Sequence, residues 1–257
     1  MTALVTGATA GIGRAFAEVL AEQGTDLVLV ARDGARLAGV ADELRTTHGV
    51  AVAVLPADLA TDDGCRSVMD RLADASAPID LLVNNAGFGL NQAFVGGDLG
   101  AEEGLLDVLV RAPLRLTHAA LPGMVERGRG SIVNVSSVAG FVPVGTYGAA
   151  KAWLTSFTEG LAAELAGTGV TATAVCPGFT RTEFHTRANM PMRALPDWAW
   201  LEARRVAEDG LAAARAGRSV SVPSTRYPAL VLATQYTPRP VLRQAARLAP
   251  RFRRPGI

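Results

Sequence analysis

Lysine is all but absent from this chain: of 25 basic side chains, 24 are arginine and only Lys151 is lysine. Cysteine and histidine are scarce as well. Two cysteines, Cys65 and Cys176, cannot build a disulfide framework or a cysteine metal cluster, and they fit a reducing cytoplasm. His48, His118 and His185 lie too far apart in sequence to suggest a zinc site, so no metal is expected. No apolar run approaches the ~20 residues of a membrane-spanning helix, and no basic segment followed by an apolar one opens the chain. The formal net charge is only +1, which provides no global electrostatic reason to expect nucleic acid. No internal repeat or low-complexity linker divides the sequence. Its 257 residues, 49% hydrophobic, suffice for one large core, and a single domain over 1–257 is expected.

What is present centres on Tyr147-Gly148-Ala149-Ala150-Lys151. Tyr and Lys four positions apart share one face of a helix, near enough for an ammonium to act on a phenol. Lysine is a compact point charge and guanidinium a wide planar fork, so a chain that uses arginine elsewhere has a reason to place lysine here. An ordinary surface lysine beside a half-buried tyrosine would show the same two residues, so the neighbouring motifs must decide.

In chain order, residues 3–6 form an apolar strand running into Gly7-Ala8-Thr9-Ala10-Gly11-Ile12-Gly13, and a helix follows to about Gln23 with Gly24 at its end. Strand, glycine turn and helix N-terminus together make a phosphate cradle, because backbone N–H groups and the helix dipole favour its charge. The spacing is G-x-x-x-G-x-G rather than G-x-G-x-x-G. A second strand at 26–31 ends at Arg32-Asp33, where a ribose-reading residue belongs. Arg32 suits a 2′-phosphate and Asp33 a bare hydroxyl, but Asp33 also suits the N-cap of a helix near 34–47, which favours Arg32 as the contact. A third strand, 50–55, ends near Asp58-Leu59, where Asp58 either touches an adenine or caps the next helix, near 62–76. A fourth, 80–83, leads into Asn84-Asn85-Ala86-Gly87, which either orders a loop beside a dinucleotide or is a plain turn. A long helix at 102–127 should kink at Pro113. Strand 132–135 ends in Ser136-Ser137, the Tyr147 helix runs to about 166, and strand 170–175 precedes Cys176-Pro177-Gly178. This rhythm argues for an α/β, doubly wound parallel sheet with ligands at the strands' carboxyl ends.

Together, Thr6-Gly7-x-x-x-Gly11-x-Gly13, Asn84-Asn85-Ala86-Gly87, Ser137, Tyr147-x-x-x-Lys151 and Pro177-Gly178-x-x-x-Thr182 resemble the short-chain dehydrogenase/reductase family, with a narrower likeness to bacterial 3-oxoacyl and hydroxysteroid reductases. The resemblance covers about residues 2–182, with a last strand near 218–222. It implies a Rossmann-like sheet of about seven strands and NADP(H), with NAD(H) as the lesser option. It places the cofactor along Gly7, Thr9, Gly11, Ile12, Gly13, Arg32, Asp58, Leu59, Asn85, Ala86, Gly87, Tyr147, Lys151, Pro177, Gly178 and Thr182. It also makes Tyr147 the general acid or base, Lys151 the cation that lowers the cost of its phenolate, and Ser137 the hydrogen-bond donor to the substrate oxygen. A homo-oligomer, dimer or tetramer, is implied too.

Two departures stand out. The family usually has an Asn where aligning on Leu121-Pro122 puts Leu109, and leucine cannot support a proton relay. Nine residues separate Ser137 from Tyr147, about three fewer than usual. Beyond Thr182 a variable lid is expected over about 183–216, carrying Phe184, His185, Met190, Met192, Trp198 and Trp200. These contact a small apolar carbonyl or alcohol, or else pack on their own core. The tail over about 226–257 is helical and rich in arginine (Arg239, Arg243, Arg247, Arg251, Arg253, Arg254). Docking on an anionic membrane is one reading of it, and a solvated helical hairpin is the preferred one. The expected activity is NADP-dependent interconversion of a carbonyl and a secondary alcohol. The competing reading is a catalytically silent NADP-binding sensor or scaffold, which Leu109 favours.

Overall fold

The structure, a computed structural model, describes residues 1–184, 196–224 and 226–248. His185, Met190 and Met192 of the expected lid, and Arg251, Arg253 and Arg254 of the tail, lie outside the described residues.

Strands that alternate apolar side chains to both faces must be covered on both sides. That rule organises the molecule. β1 (Thr2–Thr6), β2 (Asp26–Ala31), β3 (Val52–Pro56), β4 (Leu81–Asn84), β5 (Gly130–Val135), β6 (Val170–Val175) and β9 (Val220–Ser221) form one parallel sheet in the order β3-β2-β1-β4-β5-β6-β9. Leu27 and Leu29 of β2 point into one core, with Phe16 and Leu20 of α1 (Gly11–Glu22), Leu37 and Leu44 of α2 (Gly34–His48), and Val206 and Leu211 of α7 (Ala203–Arg215). Val28 and Val30 point into the other, with Val68 of α3 (Asp62–Ala73), Leu116 and Met124 of α5 (Ala112–Glu126), and Leu161 of α6 (Gly145–Glu164). The strand order reverses between β1 and β4, the place where such sheets open a crevice at their carboxyl ends.

Local signals set most boundaries. Asp33, Thr61 and Asp98 cap α2, α3 and α4 (Leu99–Leu106) by accepting from backbone N–H groups, and Gly49 ends α2 in the left-handed region. The helix expected at 102–127 starts earlier, because Asp98 caps it. It is interrupted by a π-turn at Asp107–Arg111, just before Pro113. Pro113 has no N–H to give the carbonyl of Leu109 four residues back, and the wider turn accommodates that loss. Edge strand β3 begins two residues later than expected and ends at Pro56, which an edge tolerates.

Several elements escaped the sequence reading, among them α7, which lies within the span expected as lid (about 183–216) but buries Val206, Ala207, Leu211 and Ala214 in the core. A 3₁₀ turn at Val138–Phe141 follows Ser137. A two-stranded parallel sheet of β7 (Thr180–Arg181) and β8 (Leu201–Glu202) ties together the two ends of the lid excursion. The C-terminal segment forms two helices, α8 (Tyr227–Tyr236) and α9 (Arg239–Leu248).

Candidate active site

The glycine turn closes on β4. Gly7 adopts φ +68° and Gly11 φ +57°, backbone angles that favour glycine. A Cβ at Gly13 would stand 2.3 Å from both the Gly7 carbonyl and Asn85 Nδ2. Asn85 fixes this approach: its Nδ2 donates to the Thr6 carbonyl at 2.9 Å, and its N–H donates to Thr6 Oγ1 at 2.9 Å. The Ala86 N–H shares that hydroxyl at 3.0 Å. Thr6, which the motif reading passed over as strand, is therefore the clamp between the two loops. The N-cap of α1 is Ala10, with no side-chain cap and no acid in the first turn. Its first N–H groups are thus left for an external acceptor, and this donor set fits a pyrophosphate.

Other expected contacts gather around this cradle. Thr182 lies against Gly11, its Cβ 3.0 Å from where a side chain at Gly11 would begin. Thr9 is nearly buried in the turn. Ile12 packs on the core beneath α1, and the buried Leu59 side chain faces the opposite core, so both can offer a ligand only main chain. Asp33 Oδ1 accepts from the Arg36 N–H at 3.0 Å, the capping role anticipated for it. Asp58 does not cap α3; Thr61 does, and Asp58 Oδ1 instead accepts from the Ala60 N–H at 3.0 Å. Arg32 is exposed and makes no hydrogen bond or ion pair among the described residues. Its neighbours Arg14 and Arg36 are committed to Glu43 and Glu183.

Lys151 lies at the centre. It is only 5% exposed, and its Nζ donates to the carbonyl of Val135, the last residue of β5, at 2.7 Å. Its own carbonyl accepts from Ser136 Oγ at 2.8 Å and Thr155 Oγ1 at 3.0 Å, which fixes the α6 backbone at this turn. Nζ stands 5.8 Å from the Tyr147 ring centroid. Leu109, 1% exposed, packs with Leu105 and Ala150, and Tyr147, Phe88 and Leu90 lie against them. A Cβ at Gly87 would meet Leu109 Cδ2 at 2.8 Å and Lys151 Nζ at 4.0 Å. The ammonium therefore sits in a largely apolar niche, and that burial pulls its pKa down to about 8.

The short Ser137–Tyr147 connection is explained by close packing. Gly140 has no room for a side chain, because a Cβ there would stand 2.9 Å from the Ala152 nitrogen. The 3₁₀ turn thus docks directly on α6 beside Lys151. Ser137 Oγ accepts from the Ala139 N–H at 3.1 Å, leaving its own proton to donate. The Val138 N–H donates to the Pro177 carbonyl at 3.0 Å, joining this turn to the Pro177-Gly178 bend.

The lid residues divide. The Phe184 ring lies 5.8 Å from that of Tyr147. Trp200 packs instead on Phe179 and under Arg181. Tyr227, which no sequence signal marked beyond a helix start, fills the space over Gly178. Its hydroxyl donates to the Ala199 carbonyl at 2.7 Å and accepts from the Phe179 N–H at 3.1 Å.

Lys151 makes stability pH-dependent in a defined sense. With a native pKa of about 8 against an ordinary 10.5, the unfolded chain holds a proton that the native state lacks between those values. Native stability attributable to Lys151 therefore rises with pH through that window, by up to about 3 kcal/mol. Urea unfolding of wild type and Lys151→Met, without cofactor, at about pH 7 and about pH 9.5 checks this. The wild type should gain on the variant at the higher pH, and an unchanged difference would mean that the ammonium is hydrated.

Comparison with known proteins identifies the family. The profile of the family described as short chain dehydrogenase matches residues 1–192. Sulfoacetaldehyde reductase 2 of Chromohalobacter salexigens is 42% identical over 186 residues, 70% of this chain and 73% of the relative. A short-chain dehydrogenase from Sphingobium yanoikuyae, solved in complex with NADPH, superposes with a TM-score of 0.84 at 38% identity, covering 91% of this chain and 93% of that one. A bulky-bulky ketone specific alcohol dehydrogenase from Comamonas testosteroni gives 0.79 at 34% identity, over 91% and 92%. The chain therefore belongs to the short-chain dehydrogenase/reductase family of oxidoreductases.

Proposed function

We propose that this chain is an NADP-preferring oxidoreductase that interconverts an apolar ketone and its secondary alcohol. The observation that carries the reading is the lone lysine. It is buried against Val135 and shares a helix face with Tyr147, at the strand ends where the glycine turn, Asn85, Ser137 and Pro177 also meet. The nicotinamide group, when bound, exchanges a hydride with the carbonyl carbon. Tyr147 donates its phenolic proton to the carbonyl oxygen, or takes it back in oxidation. Ser137 donates a hydrogen bond where negative charge develops on that oxygen. Lys151 stabilises the phenolate by charge, the same role an adjacent cation plays in lowering any phenol's pKa. Phe184, Phe88 and Leu90 around Tyr147 favour an apolar substrate.

Arg32 supports the cofactor preference. It stands exposed just after β2 without a hydrogen-bond or ion-pair partner among the described residues, while Asp33 is engaged in capping. The NADPH complex of the similar Sphingobium enzyme is consistent with this. A charge-assisted pair with a 2′-phosphate is worth about 1.5–3 kcal/mol. Arg32→Ala should therefore weaken NADPH about tenfold or more and NADH little, read by fluorescence titration of each. An equal effect on both cofactors would remove Arg32 from the 2′-phosphate.

Tyr147→Phe should abolish reduction of a carbonyl panel, followed by loss of NADPH absorbance, while NADPH binding persists. Lys151→Arg should fail nearly as badly, because a guanidinium fork cannot occupy the niche between Gly87, Leu109 and the Val135 carbonyl. Near wild-type rates in either variant would overturn the roles assigned.

Leu109 favours the second reading, a silent cofactor binder, since an aliphatic wall closes Lys151 to a side-chain relay. Leu109→Asn separates the cases in steady state and single turnover. A rise in steady-state rate with unchanged hydride transfer means a slowed relay, and no change on an active wild type means the side chain is irrelevant. If wild type and variant both bind NADPH and reduce nothing, the silent reading replaces the enzyme.

A further inference from the structure

Charge is unevenly distributed along this nearly neutral chain. Residues 210–257 hold nine arginines and no aspartate or glutamate, whereas residues 1–209 hold the other 16 basic residues against all 24 acidic ones, a net charge of −8. The basic segment includes α8 and α9, and it lies beyond the 1–192 stretch that the family profile matches. It also presents apolar side chains to solvent. Leu232 and Tyr236, four residues apart on one face of α8, are 54% and 82% exposed, and Val241 at the start of α9 is 55% exposed. Trp198 is 65% exposed, with the Arg226 guanidinium 5.8 Å over its ring and donating to its carbonyl at 3.0 Å. In the sequence of α9, arginine recurs every fourth residue at 239, 243 and 247, with Val241 and Leu242 between the first two and Leu248 after the last.

Isolated apolar side chains at a surface need no explanation, and a basic run alone would suit any polyanion. Set side by side, an α8 with no basic residue that exposes Leu232 and Tyr236, and an arginine-bearing α9, match one chemistry better than others. A polyanion offers phosphates but no apolar phase, whereas a bilayer interface offers both, at the depth where Trp and Tyr rings reside. No helix among the described residues is long and apolar enough to cross a membrane, so the helices would lie in the interface plane.

We infer that α8, α9 and the Trp198 turn dock this protein on the surface of an anionic lipid bilayer. The arginines sit among acidic headgroups, and Leu232, Tyr236, Val241 and Trp198 enter the acyl boundary. The docking face is joined to the candidate substrate site. α8 packs on the Val138–Phe141 turn beside Ser137, and its first residue, Tyr227, holds Phe179 and Ala199. An apolar carbonyl dissolved in the bilayer would thus be delivered next to the site. The docking itself does not depend on the catalytic reading.

Flotation of the full-length chain tests it, using vesicles of phosphatidylcholine alone and vesicles containing about 30% phosphatidylglycerol. The protein should float with the anionic vesicles and not the neutral ones, and raised salt should release it, since screening weakens surface charge. Each basic residue near such a surface adds roughly fivefold to partitioning. Arg243→Glu should therefore lower binding at least about fivefold, and Leu232→Ser with Tyr236→Ser should lower it comparably. Leu232 and Tyr236 are exposed, so thermal unfolding and NADPH binding of the serine variant should not change. Failure to float with anionic vesicles, equal loading on neutral ones, or full binding by the serine variant would overturn the proposal. Retention on heparin that the serine variant shares, without vesicle binding, would reassign the face to a soluble polyanion.

Discussion

A buried ammonium group held against one backbone carbonyl ties helix to sheet at the centre of this structure. Lys151 must leave a buried position on α6 and reach the last carbonyl of β5, so helix and strand end must meet at one height. Several features serve that meeting. Ser136 and Thr155 hold the Lys151 carbonyl, and Gly140 lets the 3₁₀ turn after β5 press against the helix. Further down the same strands a buried chain of amides and hydroxyls does similar work. Asn84 Nδ2 donates to Thr117 on α5 and to Asn134 on β5, and Asn134 donates to Thr158 on α6. Groups that would be costly to bury alone instead pin two helices to the sheet's middle strands.

Most of the sheet was legible because its signals are local. Apolar runs bounded by glycine, proline and capping residues mark β1 to β6 well, and the five ordered motifs mark the strand ends that converge. What was illegible depends on contacts between distant segments. Thr6 reads as one more strand residue until Asn85 and Ala86 are seen donating to it across 79 and 80 positions. Tyr227 carries no motif, and only folding brings it onto Gly178. Asp58 reads as a cap for α3 or an adenine contact, and Thr61, three residues on, takes the capping role instead. The π-turn before Pro113 belongs to the same class, since proline announces a disturbance but not its form.

The chain's use of arginine acquires a consistent logic from the fold. Guanidinium groups occupy exposed positions where a planar fork meets carboxylates, as Arg14 meets Glu43 and Arg36 meets Glu183. They also fill the acid-free C-terminal segment, where a group that cannot lose its proton keeps its charge at any working pH. Lysine appears at a buried cationic position, where the space is narrow and a pKa that can move is compatible with proton chemistry.

That movable pKa links occupancy of the site to protonation. Among the described residues Lys151 meets the Val135 carbonyl, the Tyr147 ring, apolar walls and the Cys176 thiol, and burial lowers its pKa to about 8. Leu109 contributes to this, since an amide or a water in its place would hydrate the ammonium and raise the value. Anionic groups bound along the glycine turn act in the opposite direction, because nearby negative charge favours the protonated lysine. Under the proposed function, the cation that Tyr147 needs is thus weakest in the empty site and strongest in the loaded one. An aliphatic residue at 109 does not simply remove a relay. It lowers the Lys151 pKa toward neutrality, and under the proposed function a ligand that brings its own negative charge raises it again and strengthens the cation facing the phenol.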